Sequence, residues 1–467
     1  MSIKKQQEFD IKIETLNERG YGVGITELNG KNCTVFVLGA LPGETLRVET
    51  FKKKRGDIFA RAIEVLVASA ERVIPREPDH YFASSPWQIL SDKGELNQKK
   101  QIITSSFFQY CGIDLESQIA QSPILWNYRN KVEFSFFEDW ESGIVSLAYF
   151  KREGNKGKYP IQSCQLMPEN VNIAATGIVK IINENKISSK TLKTLLIRYS
   201  FSQKKAVLSL FVTEMETWNL DRDYKSLFSN VLEMDFVQSV NVYFSNPQSP
   251  ASIITETIYQ SGNSNLTESI MGTSLEYNSD SFFQINPVAF ELVMVDLKKW
   301  LGENKTKYDF KNKILLDFYS GVGTIGLMLE SYFKSIIGVE NSKGSKKLAN
   351  QNAASNMIEN AVFWEEEAEN LIHHINGHNI LLLDPPRIGL HLKVIEKIQQ
   401  ETPPLIIYLS CNPISQAQNI SFLIEKYDII FNKGYNFYPH TPHMEHLVIL
   451  KLKEKTVELT EKETELN

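Results

Sequence analysis

From residue 278 onward, short continuous apolar runs alternate with longer stretches of helical periodicity, the pattern of buried parallel strands covered by helices on both faces. Ligands bind such folds at the carboxyl ends of the strands, so residues just beyond each apolar run are the candidates for chemistry. The first part of the chain reads differently. Between residues 8 and 67 short apolar runs are broken by turn signals, including Leu41-Pro42-Gly43-Glu44, and five short strands of a small β-barrel fit that spacing. Pro75, Pro78 and Pro86 then interrupt regular structure, and a polar helical stretch follows at 92–110. Strand-like runs at 132–137 and 207–212, with a helix at 168–183, predict a middle α+β domain. The expected organisation is a barrel over 1–67, linker and central domain over 68–265, a doubly wound α/β domain over 266–453, and an acidic, disordered tail over 454–467.

Composition narrows the class without naming a chemistry. The chain has 467 residues, 42% hydrophobic and 23% charged, ordinary values for a globular protein of about two to four domains. No apolar run approaches the ~18 residues of a membrane-spanning helix, and the amino terminus lacks the apolar segment of a secretory signal. A cytoplasmic monomer with no membrane partner is expected. Cys33, Cys111, Cys164 and Cys411 are too scattered for a disulfide scaffold or a metal knuckle. His440, His443 and His446 sit between prolines that preclude a regular helix, and no metal site is expected there.

Charge brings in a partner. A net charge of −6 argues against nucleic acid, yet the basic residues gather in the first third, at 52–55, at Arg129 and Lys131, and at 151–158. Lys53, Arg55, Arg129 and Lys131 are the candidate phosphate contacts. Trp126-Asn127-Tyr128-Arg129-Asn130-Lys131 mixes aromatic and basic side chains, which suits stacking on unpaired bases but equally suits a strand entry with solvated charges.

Four strand ends carry chemistry. Asp317-Phe318-Tyr319-Ser320-Gly321-Val322-Gly323-Thr324-Ile325-Gly326 is a strand, a glycine turn and a helix start, and Glu340 closes the next strand nineteen residues after Gly321. That spacing matches an acidic residue accepting ribose hydroxyls. Asp384-Pro385-Pro386-Arg387 follows an apolar strand, and Ser410-Cys411-Asn412-Pro413 follows another. Together they favour S-adenosylmethionine over a dinucleotide. An Asn-Pro that opens a helix would lower the Cys411 pKa and favour its thiolate.

Cys411 in Ser-Cys-Asn-Pro, Asp384 in Asp-Pro-Pro-Arg-x-Gly, Glu445 after His440-Thr441-Pro442-His443-Met444, and Phe282-Phe283-Gln284-Ile285-Asn286-Pro287 resemble the RNA (uracil-5-)-methyltransferase family. The amino-terminal segment resembles a TRAM domain, an RNA-binding barrel. The resemblance implies a Rossmann-like class I methyltransferase domain behind an OB-like barrel and an α+β domain. It implies that Gln284, Tyr319, Gly321, Gly323, Glu340 and Asp384 hold adenosylmethionine, that Cys411 is a nucleophile adding to carbon 6 of uracil, and that Glu445 is the base. Many bacterial members of the rRNA-acting branch hold an iron-sulfur cluster on four cysteines; 75–88 contains none and Cys164 stands alone, so no cluster is expected. The expected substrate is a uridine in 23S rRNA, because the shorter bacterial tRNA branch generally lacks a TRAM domain; uridine 54 of tRNA is the alternative. A non-catalytic RNA-binding or ribosome-assembly factor would need neither Cys411 nor Glu445. Methylation of an exocyclic amine is disfavoured because Arg387 stands where an aromatic usually follows Asp-Pro-Pro.

Overall fold

The computed structural model describes residues 7–28, 30–152, 157–219 and 221–454. The expected tail, apart from Glu454, lies outside them.

The barrel is a six-stranded sheet in the order Glu8–Lys12, Thr45–Lys54, Asp57–Val67, Lys31–Leu38, Gly22–Leu28, Thr15–Leu16. Alternation does the work: Val35, Val37, Leu46, Val48, Ile58 and Ala60 point inward and are buried, while the residues between them are more exposed. One strand more than expected is present, because Thr15–Leu16 is two residues long and too short to carry a periodic signal. The middle domain is a seven-stranded sheet with the amphipathic helix Glu169–Glu184 packed on it through Val171, Ala174, Ile178 and Ile181.

The third sheet has eight strands, in the order Ala361–Glu365, Ser335–Glu340, Ile314–Phe318, Ile380–Leu383, Leu405–Ser410, Glu445–Leu452, Tyr427–Tyr435, Ile119–Ala120. The first five run parallel, and Glu445–Leu452 inserts antiparallel beside Leu405–Ser410. Successive residues feed opposite cores. Leu315, Leu382, Ile407 and Leu409 join one with the helix Pro287–Tyr308. Leu316, Leu381, Leu383 and Ile406 join the other with the helices Leu392–Glu401 and Pro413–Ser421.

That second core also takes in Ile102, Ile103 and Phe107 of the helix Asp92–Cys111. Residues 92–120, grouped with the central domain in the sequence reading, thus supply a helix and an edge strand to the third sheet. No helix of the described residues is long and apolar enough to cross a membrane.

Candidate active site

Cys411 follows the last residue of the buried strand Leu405–Ser410, and the chain turns at once: the Asn412 side chain accepts from Ile414 N and Pro413 opens the helix Pro413–Ser421. Proline suits that first helical position, since its missing N–H is not needed there. Ser410 lies opposite His446 in the antiparallel register, so one step further places Cys411 opposite Glu445. Cross-strand partners share a face of the sheet. Residues 34 positions apart therefore meet through register alone.

Asp384 leaves the parallel strand Ile380–Leu383, next to Leu405–Ser410. Its Oδ2 accepts a hydrogen bond from Gln284 Nε2 at 3.1 Å. Gln284 is held from behind, because Asn130 Nδ2 donates to the Gln284 carbonyl at 2.8 Å and Asn130 N donates to the Ile285 carbonyl at 2.9 Å. The buried Asn130 thus clamps the central domain onto the loop that delivers Gln284. This role was missed from the sequence, where Asn130 stood only as part of a basic-aromatic run.

The glycine turn completes the arrangement. Tyr319, Gly321 and Gly323 all have positive φ (67°, 57° and 84°), and Gly321 N donates to Glu340 Oε2 at 3.1 Å. Glu340 Oε1 accepts from Ser342 N and Oγ, so the acidic strand end closes over the turn. Gln284, Tyr319, Gly321 and Asp384 line one pocket together with Phe282 and Ser320. Gly323 lies outside it: a Cβ there would come within 3.0 Å of the Phe363 ring, so its smallness serves packing.

The electrostatics are those of a dry, acidic cleft. Burial pushes Asp384 up to about 7, against the Gln284 hydrogen bond and with help from Glu340. Burial pushes Asp317 up to about 8; one oxygen accepts from Gly326 N at 3.0 Å and the other has no partner. Glu445 is driven well above the carboxylate range by burial and then by Asp384, with Tyr438 and Arg387 opposing. The Cys411 thiol is pushed up by burial, then by Glu445 and Asp384, and only Arg387 among the charged groups pulls it down. This reverses the expectation of a thiol eased toward ionisation by its helix start, because dehydration and two carboxylates outweigh one guanidinium and a helix end.

The expected RNA contacts divide. Lys53 is an exposed residue of the strand Thr45–Lys54, and Arg55 occupies the exposed turn that follows it. Arg129 and Lys131 are instead half-buried. Arg129 lies among Tyr128, Tyr149 and Cys164, and Lys131 pairs in register with Arg198, which with burial lowers its pKa to about 8. Trp126 stacks on His440 at 3.9 Å and carries the Arg76 guanidinium 4.2 Å from its ring centre. Both contacts of the Trp126 ring are with the protein's own side chains. No group of three metal-ligating side chains lies together among the described residues.

The model of the family described as tRNA (Uracil-5-)-methyltransferase matches residues 91–453. The chain belongs to the tRNA (uracil-5-)-methyltransferase family. As a member it is an adenosylmethionine-dependent RNA methyltransferase. An uncharacterized RNA methyltransferase of Caldanaerobacter subterraneus is 28% identical over 464 residues, covering 94% of this chain and 98% of the relative. One from Thermotoga maritima is 26% identical, covering 94% and 98%. The solved structure of the Pyrococcus abyssi tRNA (uracil-54, C5)-methyltransferase, in complex with S-adenosyl-L-homocysteine, superposes with a TM-score of 0.73 at 21% identity. It covers 95% of this chain and 100% of its own length.

The methyltransferase's pocket fits its cofactor chemically. Two carboxylates, Asp384 and the buried Asp317, line a cleft with no lysine or arginine in its lining, and Glu340 holds the adjoining turn through Gly321 N. A ligand bearing a sulfonium, an ammonium and ribose hydroxyls supplies the missing positive charge and hydrogen-bond donors.

Proposed function

We propose that this methyltransferase modifies carbon 5 of a uridine through a covalent link between Cys411 and carbon 6, with Glu445 as the base. The observation that carries the reading is the register that sets Cys411 against Glu445, both within electrostatic reach of Asp384, which lines the pocket with Gln284. Gln284, Tyr319, Gly321, Glu340 and Asp384 are the residues proposed to hold adenosylmethionine. Bound there, the cofactor supplies an electrophilic methyl group.

The protein's share follows from its own groups. Carbon 5 of uracil is a weak nucleophile, and addition of the Cys411 sulfur to carbon 6 moves an electron pair toward carbon 5. Once carbon 5 carries the methyl group, Glu445 removes its remaining proton, the C–H pair restores the ring double bond, and the carbon–sulfur bond breaks. Glu445 and Asp384 both oppose the Cys411 thiolate. Arg387, whose Nη2 donates to His443 Nδ1 at 2.9 Å, is the cation that favours it.

RNA containing 5-fluorouridine tests the chemistry, since its fluorine cannot leave as a proton. With adenosylmethionine present, a denaturation-resistant protein–RNA adduct is expected. An equal yield from Cys411→Ala would refute the nucleophile. Glu445→Gln is expected to trap covalent RNA on ordinary substrate with little turnover.

For the substrate we infer a uridine of 23S rRNA, in line with the exposed basic turn of the barrel. A second reading has its own support: the Pyrococcus abyssi enzyme named for uridine 54 of tRNA covers 95% of this chain, barrel included, so the barrel by itself does not separate the two. Mapping 5-methyluridine in rRNA and tRNA with and without the gene decides between them.

A further inference from the structure

The two oxygens of Glu445 are in different situations. Oε1 receives the Tyr438 hydroxyl at 3.2 Å, whereas Oε2 is buried with no hydrogen-bond partner. Tyr438 sits in the loop joining the strands Tyr427–Tyr435 and Glu445–Leu452, and that loop is anchored from elsewhere in the chain. The Tyr438 carbonyl accepts from Lys99 Nζ at 3.2 Å and from Thr441 Oγ1 at 2.7 Å. Its ring stands edge-on to His443, with centroids 6.3 Å apart.

We propose that Tyr438 is a positioning residue for proton removal, its hydroxyl pinning Oε1 so that Oε2 is the oxygen turned to carbon 5 of the uracil. The inference deepens the reading of Glu445 as base and rests on it. Rotation about the last side-chain bond exchanges the oxygens of a free carboxylate, and a single directed hydrogen bond removes that freedom. The same bond favours the ionised form needed to take a proton.

The groups facing Glu445 come from four places. Asp384 beyond Ile380–Leu383 opposes its ionisation, and Arg387 in the following loop favours it. Cys411 beyond Leu405–Ser410 is the neighbouring nucleophile. Tyr438 supplies the hydrogen bond. Its own hydroxyl is driven well above the usual phenol range by burial and then by the Glu445 charge, so it stays a donor and does not compete for the proton. In the step itself the proton passes from carbon 5 to Oε2, the electron pair re-forms the ring double bond, the sulfur leaves, and the tyrosine O–H is unchanged.

Single-turnover release of tritium from RNA carrying tritium at carbon 5 of uridine, measured over about pH 6–9, reads this directly, because that hydrogen leaves only in the step after methyl transfer. Removing a donor from an ionised carboxylate raises its pKa, so Tyr438→Phe is expected to move the acid limb of the rate up by about one pH unit. Below the limb the rate falls about tenfold, and at high pH it recovers. KM for RNA and adduct formation on 5-fluorouridine RNA stay unchanged, because both precede proton removal. An unmoved limb, or a uniform loss with raised KM, overturns the proposal. Should the phenylalanine variant be unstable, 3-fluorotyrosine placed at 438 keeps the shape and is a stronger donor; the limb then moves down, and a limb that stays put overturns the proposal equally. Glu445→Gln run alongside separates the two claims. Normal turnover in it removes the base assignment and Tyr438 with it, whereas a trapped adduct with an unshifted Tyr438→Phe limb removes Tyr438 alone.

Discussion

In the proposed cofactor site, Asp384 ties ligand binding to a proton. At about 7, its pKa leaves it partly neutral in the free protein, and a positively charged ligand binds best to the ionised form. Affinity for S-adenosylmethionine is therefore expected to rise as pH passes upward through 7, by up to about tenfold per unit on the acid side. Calorimetry in buffers of different ionisation enthalpy should show proton release, and less of it for S-adenosylhomocysteine, which lacks the sulfonium charge. Equal release by both ligands would contradict this role. Asp317 makes the opposite kind of statement, about stability. Its folded pKa of about 8 lies above the ordinary value of 3.8. Its contribution is therefore full below the unfolded pKa and is lost as pH rises through 8. Asp317→Asn is expected to match or trail the parent in acid and to gain several degrees of Tm over it by about pH 9, measured without ligand. Both aspartates were visible in the sequence as strand-end signals. Their protonation was not, because it depends on which carboxylates and how much apolar cover the fold gathers around them. Cys411 shows the same limit: its motif announced a reactive thiol, while its pKa is raised first by burial and then by Glu445 and Asp384, far away along the chain.

At the level of elements, the site is a product of strand order. The apolar runs at Ile314–Phe318, Ile380–Leu383 and Leu405–Ser410 were legible because parallel strands buried on both faces are continuously hydrophobic. The antiparallel insertion of Glu445–Leu452 was not, since no local pattern specifies which neighbour a strand pairs with. The turn after Cys411 joins two of these elements: Asn412 caps its helix and donates through Nδ2 to the Arg387 carbonyl at 2.9 Å. Asn412→Ala removes both bonds. A loss of about 0.5–2 kcal/mol in urea unfolding is expected from the cap, together with slower adduct formation on 5-fluorouridine RNA as the Arg387 loop loosens. Unchanged adduct kinetics would show that the two loops do not depend on each other.

Across the whole molecule the helix Asp92–Cys111 has the widest reach. Its Lys99 donates to Glu95 at 2.6 Å, to Asn436 and to the Tyr438 carbonyl, and Glu95 accepts from His440 N at 3.0 Å through both oxygens. A pair of charged residues on the buried face hid that face from the sequence, where the stretch read as a polar linker helix. Lys99→Met leaves Glu95 buried and unpaired and is expected to cost about 3–5 kcal/mol, while the double change Glu95→Gln with Lys99→Met costs less than the single. Denaturant unfolding of the four proteins of the cycle measures this, and a double variant as unstable as the sum of the singles would refute the pairing.

The loop that presents Tyr438 and Glu445 is thus shared property. The Lys99 helix grips it, the His440 carbonyl accepts from Trp87 N, and Gly20 of the barrel packs so near that a Cβ there would lie 3.5 Å from Pro442. Exchange of amino-terminal regions between distant relatives is then not a neutral shuffle of modules. A hybrid that inherits a foreign barrel and helix without matching changes across 436–445 is expected to misplace Glu445, the proposed base.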